Sequence, residues 1–144
     1  MPEVRELEAG ESHEAAAALL ELRPHLGSRE ALAAQVDGLR VSGYRVASFE
    51  DGEADAAAAA GFRIRESLAW GRFLYVDDLV TRQALRGRGH ADAVMAWVVD
   101  EARTQSCAQL HLDSGVGPER ADAHRFYFRH RLRIASYHFA RELT

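Results

Sequence analysis

The chain has 144 residues, 47% of them hydrophobic and 28% charged, with a formal net charge of −4. That size and mix fit one globular domain over 1–144 and exclude a disordered chain, and no apolar run approaches a membrane span. Eighteen basic residues, all arginine, against 22 acidic ones argue against general nucleic-acid binding.

The charge is uneven. Residues 1–60 hold 12 acids and 5 arginines; residues 61–144 hold 10 acids and 13 arginines. An anionic ligand therefore fits the second half best. The start, Met1 to Glu8, is acidic and lacks an apolar leader, so a cytoplasmic protein is expected. The single Cys107 excludes an internal disulfide and reads as a small hydrophobe.

In chain order, Val4 to Leu7 is a short strand. A helix starts at Glu11-Ser12, carries Ala15, Leu19 and Leu22 on one stripe, and stops at Pro24. Ser28 caps a second helix with Leu32, Val36 and Leu39 on its stripe and Gly43 at its end. Tyr44 to Phe49 alternates as a strand, and Glu50-Asp51-Gly52-Glu53 is a hairpin turn. Ala56 to Ala60 favours helix by propensity. The preceding turn and the alternating Phe62-Arg63-Ile64-Arg65 make it a strand instead. Phe73 to Thr81 is the central strand, followed by a long helix over 87–106 with Ala91, Val94, Met95, Val98 and Ala102 on one face. Gln109 to Asp113 is a strand, 119–132 a helix and 133–142 a last strand. The order β-α-α-β-β-β-α-β-α-β predicts an α/β fold of the α+β type, with a mixed, mostly antiparallel sheet and about four helices.

Between the central strand and the long helix lies Arg86-Gly87-Arg88-Gly89-His90-Ala91. Glycines let the backbone approach a ligand, and a helix N-terminus offers free N–H groups and partial positive charge. A pyrophosphate site fits. A dinucleotide fingerprint would need Gly at position 92, which is Asp, and a P-loop would need a lysine. The pattern that remains, Arg86-x-x-Gly89-x-Ala91, resembles the acetyl-CoA signature of the GNAT superfamily of N-acetyltransferases. A second match, Ala123-x-x-Phe126-Tyr127, lies at the expected distance, and the element order agrees from Val4 to Leu143. The segment 122–127 also looks like the corresponding helix of aminoalkylphosphonate N-acetyltransferases. Two positions depart from the pattern. Arg131-Leu132 replaces the usual Gly-Phe, and Arg120 replaces a usual Asn.

The resemblance implies a set of roles. Backbone groups of Leu79, Val80 and Thr81 would pair with the pantetheine arm, and an N–H of Leu79 or Val80 would polarise the thioester. N–H groups from Arg86 through Gly87, Arg88, Gly89 and His90 to Ala91 would hold the pyrophosphate, and Phe126 would line the cofactor. Tyr127 would protonate the leaving sulfur, with the amine attacking acetyl-CoA directly. The amine's proton needs an acceptor, for which Asp77 and Asp78 are the candidates. Neighbours on a strand face opposite sides unless a bulge intervenes. Asp78 is favoured, and a homodimer is a family expectation.

Rival readings are a non-catalytic acyl-CoA sensor or interaction subunit, and a protein-directed acetyltransferase. His111 and Asp113 are too few for a metal site, and none is expected. Arg63 and Arg65 share a strand face and would suit an anionic amine, whose identity the sequence leaves open.

Overall fold

The computed structural model describes residues 3–144. It divides into two compact units, residues 1–111 and 112–144. In the first, β1 (Glu3–Leu7), β2 (Arg45–Glu50), β3 (Ala58–Ser67) and β4 (Gly71–Thr81) pair antiparallel in chain order. α1 (Ala16–Leu22) and α2 (Arg29–Arg40) separate β1 from β2, and α3 (His90–Thr104) separates β4 from β5 (Gln109–Leu112). β5 lies beyond β4 at the sheet's end. It enters where Ala108 N–H donates to Arg72 C=O, at the start of β4, so the crossover through α3 is parallel. The sheet is mixed and mostly antiparallel, as expected.

Local chemistry sets the elements. Ser28 Oγ accepts from Ala31 N–H at 3.1 Å and starts α2. Gly43, at φ 92°, ends the chain's excursion after it. The alanine run from Ala56 to Ala60 is at most 2% exposed, and its last three residues, Ala58 to Ala60, form the start of β3, while Ala56 and Ala57 belong to the connection before it. Burial between two helical layers overrides its helix propensity, and the small side chains let both layers approach.

The register puts Ser48, Ala59 and Val80 in one row and Val46, Gly61 and Asp78 in the next. This face is covered by α1 and α2 through Leu19, Leu32 and Val36. On the other face Phe62 meets Trp97 of α3 with ring centres 6.1 Å apart, and Arg45 pairs with Glu101.

Two expected boundaries shift. α3 begins at His90 rather than Gly87, because Gly87 and Gly89 have φ of 80° and 82°, which a right-handed helix cannot contain. The connection from β2 to β3 is longer than a four-residue turn; Ala56 N–H is spent on Glu14 C=O, outside the ladder.

The second unit holds one helix, α4 (Ala121–Arg129), after a 3-10 turn at Pro118–Arg120. Arg131 is left-handed at φ 66°, and Leu132 N–H donates to Tyr127 C=O while Arg131 N–H donates to Phe128 C=O. That is the glycine-type helix stop, built here with arginine. The strand expected over 133–142 is not formed, and residues 132–144 have no regular element. A strand needs a ladder partner, and among its described residues the unit offers no other full strand.

α3 ends in the same kind of stop. Ser106 is at φ 60°, with Cys107 N–H on Ala102 C=O and Ser106 N–H on Arg103 C=O. A left-handed side-chain residue costs about 1–2 kcal/mol, part of which glycine returns as unfolded-state entropy. Ser106→Gly is expected to stabilise the protein by about 0.5–1 kcal/mol in urea unfolding, and Ser106→Val to destabilise it.

Candidate active site

β4 has one residue more than β3 can pair. Val76 stands opposite Phe62 and Asp78 opposite Gly61, leaving Asp77 as a bulge. Phe62 faces α3, so Val76 does too; Asp78 faces the α1–α2 side with Gly61. Strict alternation would split Asp77 and Asp78 between the faces. The extra residue puts both carboxylates on the α1–α2 side, where the charges of both bear on the same phenol, Tyr44.

Asp78 is tightly held. Its Oδ2 accepts from Tyr44 Oη at 2.7 Å and its Oδ1 accepts from Arg23 Nε at 3.0 Å. Arg23 Nη2 also reaches the Asp77 C=O at 3.4 Å. Asp77 is looser. Its side chain is 34% exposed, and its nearest cation is Arg63 Nε at 3.7 Å. Its carboxyl is held above the usual range, first by loss of solvation, then by the Asp78 charge, against the opposing arginines Arg63, Arg65 and Arg23. Burial, and then the charges of Asp78 and Asp77, push the Tyr44 phenol far up, so it stays a donor.

Tyr44 reaches Asp78 because position 61 is glycine. A Cβ there would sit 1.7 Å from Tyr44 Oη and 2.2 Å from its ring carbon. Tyr44, Gly61 and Arg23 were not among the expected site residues. The bulge cannot be read from β4 alone, since it depends on where β3 pairs.

Past the bulge, β4 turns its backbone to two sides. Arg82 N–H donates to Ala57 C=O, toward β3, so by alternation Val80 also faces β3 while Leu79 and Thr81 face away. Arg86 Nε donates to the Thr81 C=O at 3.3 Å. After a 3-10 turn at Gln83–Leu85, pinned where Gln83 N–H meets Glu21 Oε1 at 2.7 Å, the chain enters the glycine turn. Gly89 is the N-cap of α3 and has no side chain to cap it. The first bond into the helix is Ala93 N–H to Gly89 C=O, so the N–H groups of His90 and Ala91 have no acceptor within the helix. A Cβ built at Gly87 or Gly89 meets nothing within 4 Å. Arg86 and Arg88 are exposed beside the turn. His90 Nε2 is buried with no hydrogen-bond partner among the described residues, its ring packed on Phe49 at 4.2 Å. An open cavity of about 460 Å³ is lined by Glu21, Gln83, Ala84 and Arg86.

Nearer the start of β4, Arg63 stands opposite Tyr75 and Arg65 opposite Phe73. An open cavity of about 390 Å³ lies there, walled by Arg65, Trp70, Phe73 and Tyr75 among others. Arg72 is anchored elsewhere, donating to Gln105 C=O at 2.6 Å. His111 stacks on Trp70 at 3.6 Å, with Nε2 2.7 Å from Gln109 Oε1. Among the described residues no group of three or more His, Cys, Asp or Glu could hold a metal.

In the second unit, Tyr127 is half-buried on α4, its ring 5.7 Å from that of Phe126. Phe126 packs on His130 at 4.6 Å, with the Arg129 guanidinium over its ring. His124 Nε2 lies 2.8 Å from Gly115 C=O and ties the helix to the loop before it. Asp113 pairs with His138 at 3.3 Å.

Residues 6–131 match the model of the Acetyltransferase (GNAT) family, and this chain belongs to that family. A 70-residue stretch is 36% identical to the uncharacterized N-acetyltransferase YhdJ of Bacillus subtilis (strain 168), covering 49% of this chain and 48% of that protein. The chain thus spans about half the length of the curated relative it matches. Solved structures share the fold. A ribosomal-protein-alanine N-acetyltransferase from Brucella melitensis biovar Abortus 2308 superposes with a TM-score of 0.81 at 18% identity, over 99% of this chain and 100% of that one. The aminoglycoside N-acetyltransferase AAC(6')-Iy, solved with CoA, gives 0.82 at 16% identity, over 100% and 96%.

Gly61→Ala is expected to cost about 1–3 kcal/mol, because the buried Tyr44 ring must leave its seat. In a double-mutant cycle with Tyr44→Ala, measured by urea unfolding, the two changes should couple by at least about 1 kcal/mol. Additive costs would mean that the ring relaxes freely.

Proposed function

We propose that this chain transfers the acetyl group of acetyl-CoA to the primary amine of a small molecule, by direct attack of the amine on the thioester. The observation that supports this best is the continuous path from the outward backbone of Leu79 and Thr81 to the uncapped N–H groups at the start of α3. An extended pantetheine arm fits the first as a strand would, and a pyrophosphate fits the second. Backbone N–H groups of Arg86 to Ala91, with the Arg86 and Arg88 side chains, are the phosphate donors. Of the two candidates for polarising the thioester carbonyl, Leu79 has its N–H on the open side, whereas Val80 spends its own on β3. Phe126 supplies an apolar wall to the cofactor.

Tyr127 acts as the acid toward sulfur. A phenol can serve as that acid where the thiolate's charge develops within hydrogen-bonding distance of it. The bulge carboxylates take the amine's proton. Arg63 and Arg65 give the acceptor pocket a preference for anionic amines, with aminoalkylphosphonates and amino acids as first candidates. A cytoplasmic location and a homodimer accompany this reading as family expectations.

Thermal unfolding with acetyl-CoA tests the cofactor half. At about 100 times its Kd the ligand should add roughly 2.7 kcal/mol, a rise of about 5–10 °C. Gly89→Val should abolish that rise. Tyr127→Phe should keep it while lowering turnover by about 10²–10⁴-fold in a thiol-release assay over an amine panel. No rise in the parent protein would overturn the reading. A rise with no turnover on any amine would replace it with the acyl-CoA sensor.

A further inference from the structure

We propose that the two bulge carboxylates have different roles: Asp77 takes the proton of the attacking amine, and Asp78 is a fixed anion held in place by the positioning residue Tyr44. The division rests on the acetyl-transfer reading above and reverses the preference for Asp78 that sequence position suggests.

The geometry carries the argument. Each oxygen of Asp78 already accepts a good hydrogen bond, one from Tyr44 Oη at 2.7 Å and one, charge-assisted, from Arg23 Nε at 3.0 Å. Protonating Asp78 would forfeit much of both. Among the described residues the Asp77 carboxylate accepts no hydrogen bond and has only the 3.7 Å pairing with Arg63. As the bulged residue it has no ladder partner on β3, and its side chain is open to solvent and so to substrate. Every charged group around it belongs to this arrangement: Arg63 and Arg65 from β3, Arg23 from the end of α1, and Asp78 beside it, with Tyr44 a neutral donor from the start of β2. Asp78 kept ionised at short range makes Asp77 a better proton acceptor than an isolated aspartate.

The protons balance. A protonated amine gives one proton to the Asp77 carboxylate. Its lone pair then forms the C–N bond as the C–S bond breaks, and Tyr127 protonates the departing sulfur. The second proton on nitrogen returns to Tyr127 through solvent, and Asp77 releases its own to solvent, so one proton is produced per acetyl group moved.

The test needs no known amine. Aspartate labelled with ¹³C at the carboxyl carbon is titrated by NMR in the parent protein and in Asp77→Asn, Asp78→Asn and Tyr44→Phe. One signal should titrate above the ordinary aspartate value of about 3.9. That signal should vanish in Asp77→Asn and survive in Asp78→Asn at a lower midpoint. A high signal lost in Asp78→Asn, or the absence of any high signal, would each overturn the proposal. Acetyl-CoA melting curves on the same samples report separately on the cofactor reading. With an active amine, Asp77→Asn should lower kcat by about 10²-fold or more and erase the acid limb of its pH profile. Tyr44→Phe should shift that limb with a smaller loss of rate.

Discussion

A single extra residue in β4 sets up the rest of the site. A regular antiparallel strand could not put Asp77 and Asp78 on one face. With the bulge, it does, and the pair of charges then needs counter-groups. They come from three directions: Arg23 at the end of α1, Tyr44 before β2, and Arg63 on β3. The bulge also comes just before Leu79 and Thr81, the residues whose backbone faces away from β3. One irregularity therefore gathers both carboxylates and their counter-groups on one face, and it lies beside backbone that faces away from β3.

Absent side chains shape the site as much as those present. Gly61 is buried in the middle of the sheet with no unusual φ, so its backbone does not require glycine. What requires it is the Tyr44 ring lying across the strand. Gly87 and Gly89 are the reverse case. Their surroundings are open, and their left-handed backbone is the constraint. There the missing Cβ leaves helix N–H groups uncovered, at a position where two arginines add formal charge. The alanines of β3 belong with these. Leucines at Ala59 or Ala60 would drive α1 or α3 off the sheet, and with α1 would go Arg23.

Much of the fold was legible in the sequence because its signals were local. The Ser28 cap, the stripe of Val94, Met95 and Val98, and the Arg86–Ala91 turn each need only neighbours in sequence. The alanine strand was legible from its context against its propensity, except that Ala56 and Ala57 stay in the connection before it. What could not be read depended on register. The bulge exists only relative to β3, and the Tyr44–Asp78 bond only after both strands are aligned. The expected strand over 133–142 failed for a related reason. Apolar residues such as Ile134, Tyr137 and Phe139 look like a strand in isolation, but a strand is a pairing, and these side chains are 78%, 87% and 91% exposed. Arg131 also misleads as a mere departure from Gly. It adopts the left-handed conformation that glycine would, so the helix stop survives the substitution at the cost of some strain.

Asp77 also bears on stability. A carboxyl whose folded pKa lies above its unfolded value binds its proton more tightly in the folded state. Its stabilising contribution is fully present below the unfolded value and is lost as pH rises through the folded one. At neutral pH, then, Asp77 works against folding, since desolvation and the neighbouring Asp78 charge outweigh Arg63, Arg65 and Arg23. The buried residues of the strand, Phe73, Leu74, Val76 and Val80, hold it in the sheet without help from such a carboxylate. Asn at the same position would keep the bulge and remove the repulsion. What the asparagine amide lacks is the carboxylate's ability to accept a proton and give it back, the property on which the role proposed for Asp77 draws.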